Sequence, residues 1–399
     1  MDNGVVRDMD PAVKSPVDSV ASATGTLMEA YDGVVCDLDG VVYRGHQVVP
    51  HAVESLLSAL SAGVLVVYAT NNASRTPAEV SDRLNELGLP GSGARVVTSA
   101  QAAARLVAQR CPVGSTVLAV GGPGVTLALE EAGLVAVSPQ RIRSEEAVVA
   151  VVQGYGANVG WADLAEVAYA VQAGAFWVAT NVDSTLPTDR GLAPGNGALV
   201  AAVRSAVSVD PVNVGKPNAP LYELSAAVLG TDVGRTLAIG DRLDTDIAGA
   251  AALGMDSLFV FGGVHGWTDV AEAEPPARPR YVATDLRSLH SVYAEAVQDA
   301  ADSSRWICGE ASARVSRAGE LVVAQGGSVN ERLRAAVRAV WDARDLGSVT
   351  IDALAGDGAA LSRELDLAVG WSADLDSEMM TSGHAGRPAG GRDERSVGQ

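Results

Sequence analysis

Short apolar runs alternate with helix-like segments along most of the chain. The runs GVVCDLD, VLVVYAT, TVLAVGG, AVVAVVQGY, AFWVATN, TLAIGD and SLFVFGG are rich in Val, Ile or aromatic residues and nearly continuous rather than alternating. Strands covered on both faces read this way. The segments between them carry helix signals. In TPAEVSDRLNELG, Thr76 is an N-cap, Pro77 takes the first helical position, Glu79 completes a capping box and Gly88 is a stop. Strand then helix, repeated, predicts an α/β fold: a Rossmann-like parallel sheet with right-handed crossovers.

Residues 1–27 are small, polar and aperiodic and read as a flexible lead-in. A simple crossover needs only a dozen or more residues, yet 143 residues separate Asn72 from Lys216. That stretch has strand-like and helical runs of its own. It reads as an inserted α/β cap, 104–205, on a two-part core, 28–103 and 206–290. The run YVATDLRSL is expected to close the core. A small α+β unit, 303–370, follows. It has a hairpin around Ala318-Gly319, an amphipathic helix capped by Ser328 and Glu331 with a stripe of Leu333, Val337, Val340 and Trp341, and a further strand in SVTIDAL. Residues 373–399 read as disordered.

A formal net charge of −19 argues against a nucleic-acid partner and against docking on anionic lipid. No apolar run approaches the ~18–20 residues of a membrane span. The acidic N-terminus has no apolar core of a secretory signal. The three cysteines, Cys36, Cys111 and Cys308, form neither a disulfide framework nor a zinc pattern. These features predict a cytoplasmic protein without membrane insertion; homo-oligomer formation is left open.

The chemistry lies where the strands end. CDLDG, ATNNAS and IGDRLDTD close three strands, and VGKPNAP precedes a helix. In parallel sheets, ligands bind beyond the carboxyl ends of the strands, so these tips are expected to share one crevice. Asp37 and Asp39 would repel each other unless neutralised. With Asp241 from a distant strand they suit a hard divalent cation, Mg²⁺, which takes oxygen ligands. Asp37 and Asp241 are candidate carboxylate ligands and Asp246 a supporting partner. The Leu-Asp-Gly bend would let Asp39 ligate through its backbone carbonyl and keep its side chain for proton transfer. Thr70, Asn71 and Lys216 offer a hydroxyl, an amide and a positive charge to a phosphoryl group. Gly40, Gly215 and Gly240 keep side chains out of the cleft.

DLDGVVY, ATNNAS, GKPNAPLY and GDRLDTDIAGA resemble, in order and local wording, the four motifs of haloacid-dehalogenase-like phosphatases. The resemblance covers about 30–290 and is nearest to the branch of phosphoglycolate, p-nitrophenylphosphate and pyridoxal-phosphate phosphatases, whose large α/β cap occupies the place of the insertion here. It implies that Asp37 is the nucleophile, that Asp39 is the general acid and base, and that Thr70 and Lys216 hold the transferring group. It implies further that Asp37, the Asp39 carbonyl and Asp241 bind Mg²⁺, with Asp246 at the last acidic position. A small phosphate ester is the implied substrate, glycerol 3-phosphate first, with 2-phosphoglycolate and pyridoxal phosphate as alternatives. Gly40, Asn71 and Asn72 would border it. The cap stretch TNVDSTLPTDRGLAPGNG resembles the branch's substrate-facing loop, with Asn181, Asp183 and Arg190 as contacts. VGGPGVTLALEEAG reads as a tight strand-to-helix turn in the cap. The C-terminal unit resembles part of an acetyltransferase fold without its pyrophosphate-gripping loop. A contrasting reading is a CoA- or partner-binding protein whose core is structural.

Overall fold

The computed structural model describes residues 25–90, 95–142, 147–188, 191–347 and 352–370. Residues 1–24 of the lead-in, Arg190, most of SVTIDAL and the 373–399 tail lie outside the described residues.

The core is a six-stranded parallel sheet. Its spatial order is Tyr281–Ala283, Asp256–Val260, Thr236–Gly240, Gly33–Cys36, Leu65–Thr70 and Val96–Thr98. Both faces are covered, which explains the unbroken apolar runs. Val34 and Cys36 pack on one side with Leu56 and Leu84, whereas Val35 packs on the other with Leu221 and Tyr222. The Pro77–Glu86 helix starts as read: Thr76 Oγ1 accepts from the Glu79 N–H at 3.2 Å, and Glu79 answers at the Thr76 N–H at 2.7 Å. Two outer strands, Val96–Thr98 and Tyr281–Ala283, are only three residues long. The latter lies in YVATDLRSL; the former carries no separate signal in the sequence.

The inserted unit is a second parallel sheet, ordered Val212–Asn213, Phe176–Ala179, Ala150–Gln153, Thr116–Val120 and Val135–Val137. Position 104 falls inside the Ser99–Arg110 helix, and Val212–Asn213 joins the cap sheet beyond position 205. A small antiparallel pair, Thr185–Thr188 with Gly191–Pro194, extends from the cap.

The C-terminal unit is a four-stranded antiparallel sheet, Val297–Gln298, Arg305–Cys308, Ala311–Val315 and Leu321–Val323, with helices Val329–Asp345 and Gly358–Val369. The Ser328–Glu331 capping box forms. The stripe Leu333, Val337, Val340 and Trp341 is buried in one cluster with Phe259, Trp267 and Val270 of the core. Two indoles fasten the seam: Trp341 Nε1 donates to the Val270 carbonyl at 2.8 Å and Trp267 Nε1 to that of Ala353 at 2.7 Å. Among the described residues, no helix is long and apolar enough to cross a membrane.

Candidate active site

Cys36 and Ile239 stand opposite each other in neighbouring parallel strands, and the Asp37 N–H donates to the Ile239 carbonyl at 2.9 Å. Asp37 and Asp241 therefore leave the sheet side by side. Here the winding of the chain reverses direction, the switch point at which an open parallel sheet leaves a crevice. Oxygens of Asp37, Asp241 and Asp246 lie within 4.8 Å of one another. Lys216 Nζ sits 2.5 Å from Asp37 Oδ1 and 2.9 Å from Asp246 Oδ1. Asp246 Oδ2 also accepts from the Arg242 N–H at 3.1 Å, so it reaches back over its own turn.

Three carboxylates face one ammonium, so two negative charges lack compensation. Burial works to lower Lys216, but Asp246 and then Asp37 outweigh it and hold the ammonium well above its usual range. The acids show the deficit. Burial, opposed by Lys216 and aided by Asp246 and Asp241, raises the Asp37 carboxyl well above the usual carboxylate range. Burial and then Asp246 push Asp241 up to about 7, against the Val264 N–H, Lys216 and Arg242. Asp241 is fully buried; its Oδ2 accepts from the Val264 N–H at 2.7 Å, while its Oδ1 has no hydrogen-bond partner. A buried, unpartnered carboxylate oxygen in an all-oxygen, negatively charged cluster fits a hard divalent cation such as Mg²⁺. Glycines keep the cluster tight. A Cβ at Gly263 would lie 1.6 Å from Asp241 Oδ2, and one at Gly40, where φ is +92°, 2.6 Å from the same atom.

Asp39 sits just past the tip of the strand. It is exposed to the cleft, and partial desolvation by the surrounding protein raises its carboxyl above the usual carboxylate range, opposed by Arg75 and Lys216. Tyr43 is buried beside it, and the Arg44 guanidinium donates to the Gly263 carbonyl. Thr70 is buried, its Oγ1 accepting from the Asn72 N–H at 3.0 Å. Asn72 holds its own loop by accepting from the Ser74 N–H and hydroxyl at 3.0 and 2.7 Å.

Asn71 joins three parts of the site. Its Oδ1 accepts from the Lys216 N–H at 2.7 Å, its Nδ2 donates to Asp183 Oδ2 at 3.3 Å, and its carbonyl accepts from Asn181 Nδ2 at 2.8 Å. The cap thus rests on the loop that carries Asn71. Gly215 permits this: a Cβ there would meet the Thr180 carbonyl at 2.5 Å. The turn in VGGPG adds a second seat. Cβ atoms at Gly122 and Gly124 would meet the carbonyls of Ser74 and Arg75, each at 2.3 Å. The carboxyl ends of the core and cap sheets therefore converge on one crevice. Of the residues singled out from sequence, Asp37, Asp39, Gly40, Thr70, Asn71, Asn72, Asn181, Asp183, Lys216, Asp241 and Asp246 gather here. Sequence reasoning missed Gly263, Val264 and Arg75. Gly263 is the last residue of the apolar run SLFVFGG and Val264 follows it, so the double glycine is their only signal.

Residues 34–135 match the family profile of haloacid dehalogenase-like hydrolases, and residues 213–289 a second profile of the same hydrolases. A D-glycerol 3-phosphate phosphatase of Mycobacterium tuberculosis is 48% identical over 265 residues, 66% of this chain and 72% of that one. A 5′-nucleotidase of Bacillus subtilis is 37% identical over 237 residues, 59% of this chain and 90% of that one. Among solved structures, a glycerol phosphate phosphatase from Mycobacterium tuberculosis in complex with magnesium superimposes with a TM-score of 0.72 at 38% identity. That match covers 87% of this chain and 99% of the other.

Proposed function

The chain belongs to the haloacid dehalogenase-like hydrolases, and on that premise we propose that it hydrolyses glycerol 3-phosphate to glycerol and phosphate, with Asp37 as nucleophile. The observation that carries the proposal is the cluster of Asp37, Asp241, Asp246 and Lys216, two positive charges short and with a buried Asp241 oxygen lacking a partner. Asp37, the Asp39 carbonyl and Asp241 would hold Mg²⁺, with Asp246 bracing the group through Lys216. When bound, the cation offsets the repulsion between the Asp37 carboxylate and the substrate phosphate.

An Asp37 carboxylate oxygen attacks phosphorus, and the bond from phosphorus to the ester oxygen breaks. The proton on Asp39 passes to the departing alkoxide, which leaves as an alcohol. The raised Asp39 carboxyl suits it to carry that proton. In the second half, Asp39 takes a proton from water as its oxygen attacks the aspartyl-phosphate. Phosphate leaves, and both aspartates return to their starting states. The Lys216 ammonium and Thr70 hydroxyl steady the transferring oxygens throughout.

The cap supports a small substrate. Asn181 and Asp183 are tied directly to the Asn71 loop, which seats the cap over the strand tips. Arg190 is proposed as a further contact from the same cap stretch. Glycerol 3-phosphate is favoured because the 48% identical relative is a phosphatase of that ester. The proposed setting is the cytoplasm, in keeping with free thiols at Cys36, Cys111 and Cys308. A panel of phosphate esters ranked by kcat/KM in Mg²⁺ tests the substrate. Glycerol 3-phosphate should lead, and a higher value for 2-phosphoglycolate or pyridoxal phosphate would replace it. The general activity is tested separately by EDTA-sensitive turnover of p-nitrophenyl phosphate that is lost in Asp37→Asn.

A further inference from the structure

The seam between the core and the C-terminal unit is crossed by the ion pairs Arg278–Asp345 and Arg344–Glu274, but one cavity in it is lined by more positive than negative charge. Arg334, on the Val329–Asp345 helix, is only 6% exposed. Its guanidinium donates to the carbonyls of Val282 and Ala294 at 3.3 and 3.4 Å and lies 3.6 Å from the centre of the Tyr293 ring. These partners are neutral, and among the described residues no carboxylate forms an ion pair with it. Arg338, one turn further on, is exposed above the Trp306 ring and likewise has no ion pair among the described residues. Arg280, on the core side, bonds Glu295 at 3.0 Å. All three arginines line one cavity of about 20 Å³, and Glu295 is the single carboxylate on its wall. Two positive charges remain uncompensated, in a chain whose net charge is −19.

A buried cation without a counterion is costly, and guanidinium groups pair best with oxyanions, which match their forked donors. The cavity holds about one water-sized atom. A ligand can therefore place one oxygen beside Arg334 while its remainder sits at the mouth, between Arg280 and Arg338. We propose that this seam is an oxyanion site, for a phosphate-type or carboxylate group, and that its occupation fastens the C-terminal unit to the core. The site is separate from the catalytic crevice, because its walls come from the outermost core strand and the C-terminal helix.

Inorganic sulfate is the probe, on the full chain at constant ionic strength. Sulfate at the catalytic crevice is read as competitive inhibition of p-nitrophenyl phosphate turnover; because sulfate at either place, and its general salting-out action, raises the thermal midpoint, sulfate at the seam is read as the part of that rise that depends on Arg338. Arg338→Ala, at an exposed position, should shift the concentration dependence of the thermal response about tenfold while leaving the inhibition constant unchanged. Arg338→Glu should remove that response. An acetate series shows whether a planar carboxylate serves as well as a tetrahedral ion; a weakened effect of either anion in Arg338→Ala supports the site. Equal thermal responses in the wild type and both variants overturn the proposal, as does a sulfate response no larger than that of chloride.

Discussion

Lys216 Nζ lies 2.5 Å from Asp37 Oδ1, although 179 positions separate the two residues in the chain. The cap insertion accounts for most of that separation, and the parallel sheet closes it. The contact puts a permanent cation against a carboxylate that burial has already raised. Replacing the lysine leaves three buried acids with no ammonium. Lys216→Met is expected to lower kcat at least about a hundredfold, the scale of losing one preorganised charge at a phosphoryl group. It should also destabilise the metal-free protein by about 3–5 kcal/mol, as breaking a buried pair does. Stopped assays and urea unfolding in EDTA check the two effects separately.

The Asp241 carboxyl sets a pH dependence. Its folded pKa of about 7 exceeds the ordinary value of 3.8, so protonation favours the folded state. The stability it contributes is complete below about pH 4 and is lost as pH rises through about 7. In EDTA, the unfolding midpoint should fall over that window, by an amount on the order of a few kcal/mol in stability. Mg²⁺ favours the charged form and should flatten the curve. Parallel profiles with and without Mg²⁺ would contradict this reading of Asp241.

Gly263 offers a test of the cradle. An added methyl would fall 1.6 Å from Asp241 Oδ2, and the Val264 N–H that orients this oxygen is the next residue along. Gly263→Ala should raise the Mg²⁺ concentration for half-maximal turnover by about tenfold or more, the scale of disturbing a ligand's supporting contacts. Titration of activity against Mg²⁺ measures it.

The tips were readable from sequence because apolar strands buried on both faces have few reasons to end in acids, amides or a lysine. CDLDG, ATNNAS, GKPNAP and GDRLDTD stand out against such strands, and parallel topology brings their ends together. The second ring of contacts was not readable. Gly263 and Val264 lie beyond a strand that looks purely structural. Three-residue strands such as Val96–Thr98 are too short to show a period. The seating of the cap depends on glycines that approach distant backbone, Gly122 on Ser74 and Gly215 on Thr180; in the sequence Gly122 looks like part of an ordinary turn, and Gly215, read as keeping side chains out of the cleft, gives no sign of the cap backbone it meets. The stripe around Trp341 announced that it would be buried, without naming the core face that covers it.

Asn181 links the cap to the catalytic loop. Asn181→Ala removes the 2.8 Å bond to the Asn71 carbonyl, and with it one tie holding the roof over the substrate. For glycerol 3-phosphate, kcat/KM should fall about tenfold, the worth of a buried hydrogen bond at a polar substrate. Turnover of p-nitrophenyl phosphate should change much less. Equal losses for both esters would assign Asn181 to the fold rather than to substrate choice.

Trp341 tests the C-terminal seam. It is 6% exposed and donates to the Val270 carbonyl. Trp341→Ala should cost about 3–5 kcal/mol in unfolding free energy. Below the unfolding transition, kcat should be unchanged, since the indole lies against the outer edge of the core.

Acid-quenched turnover with p-nitrophenyl phosphate and Mg²⁺, followed by mass spectrometry of the peptide containing Asp37, decides whether this carboxylate receives the phosphoryl group. A peptide heavier by one phosphoryl group, seen only with substrate and absent in Asp37→Asn, is the predicted result. An unmodified Asp37 peptide, together with undiminished turnover by Asp37→Asn, would contradict it.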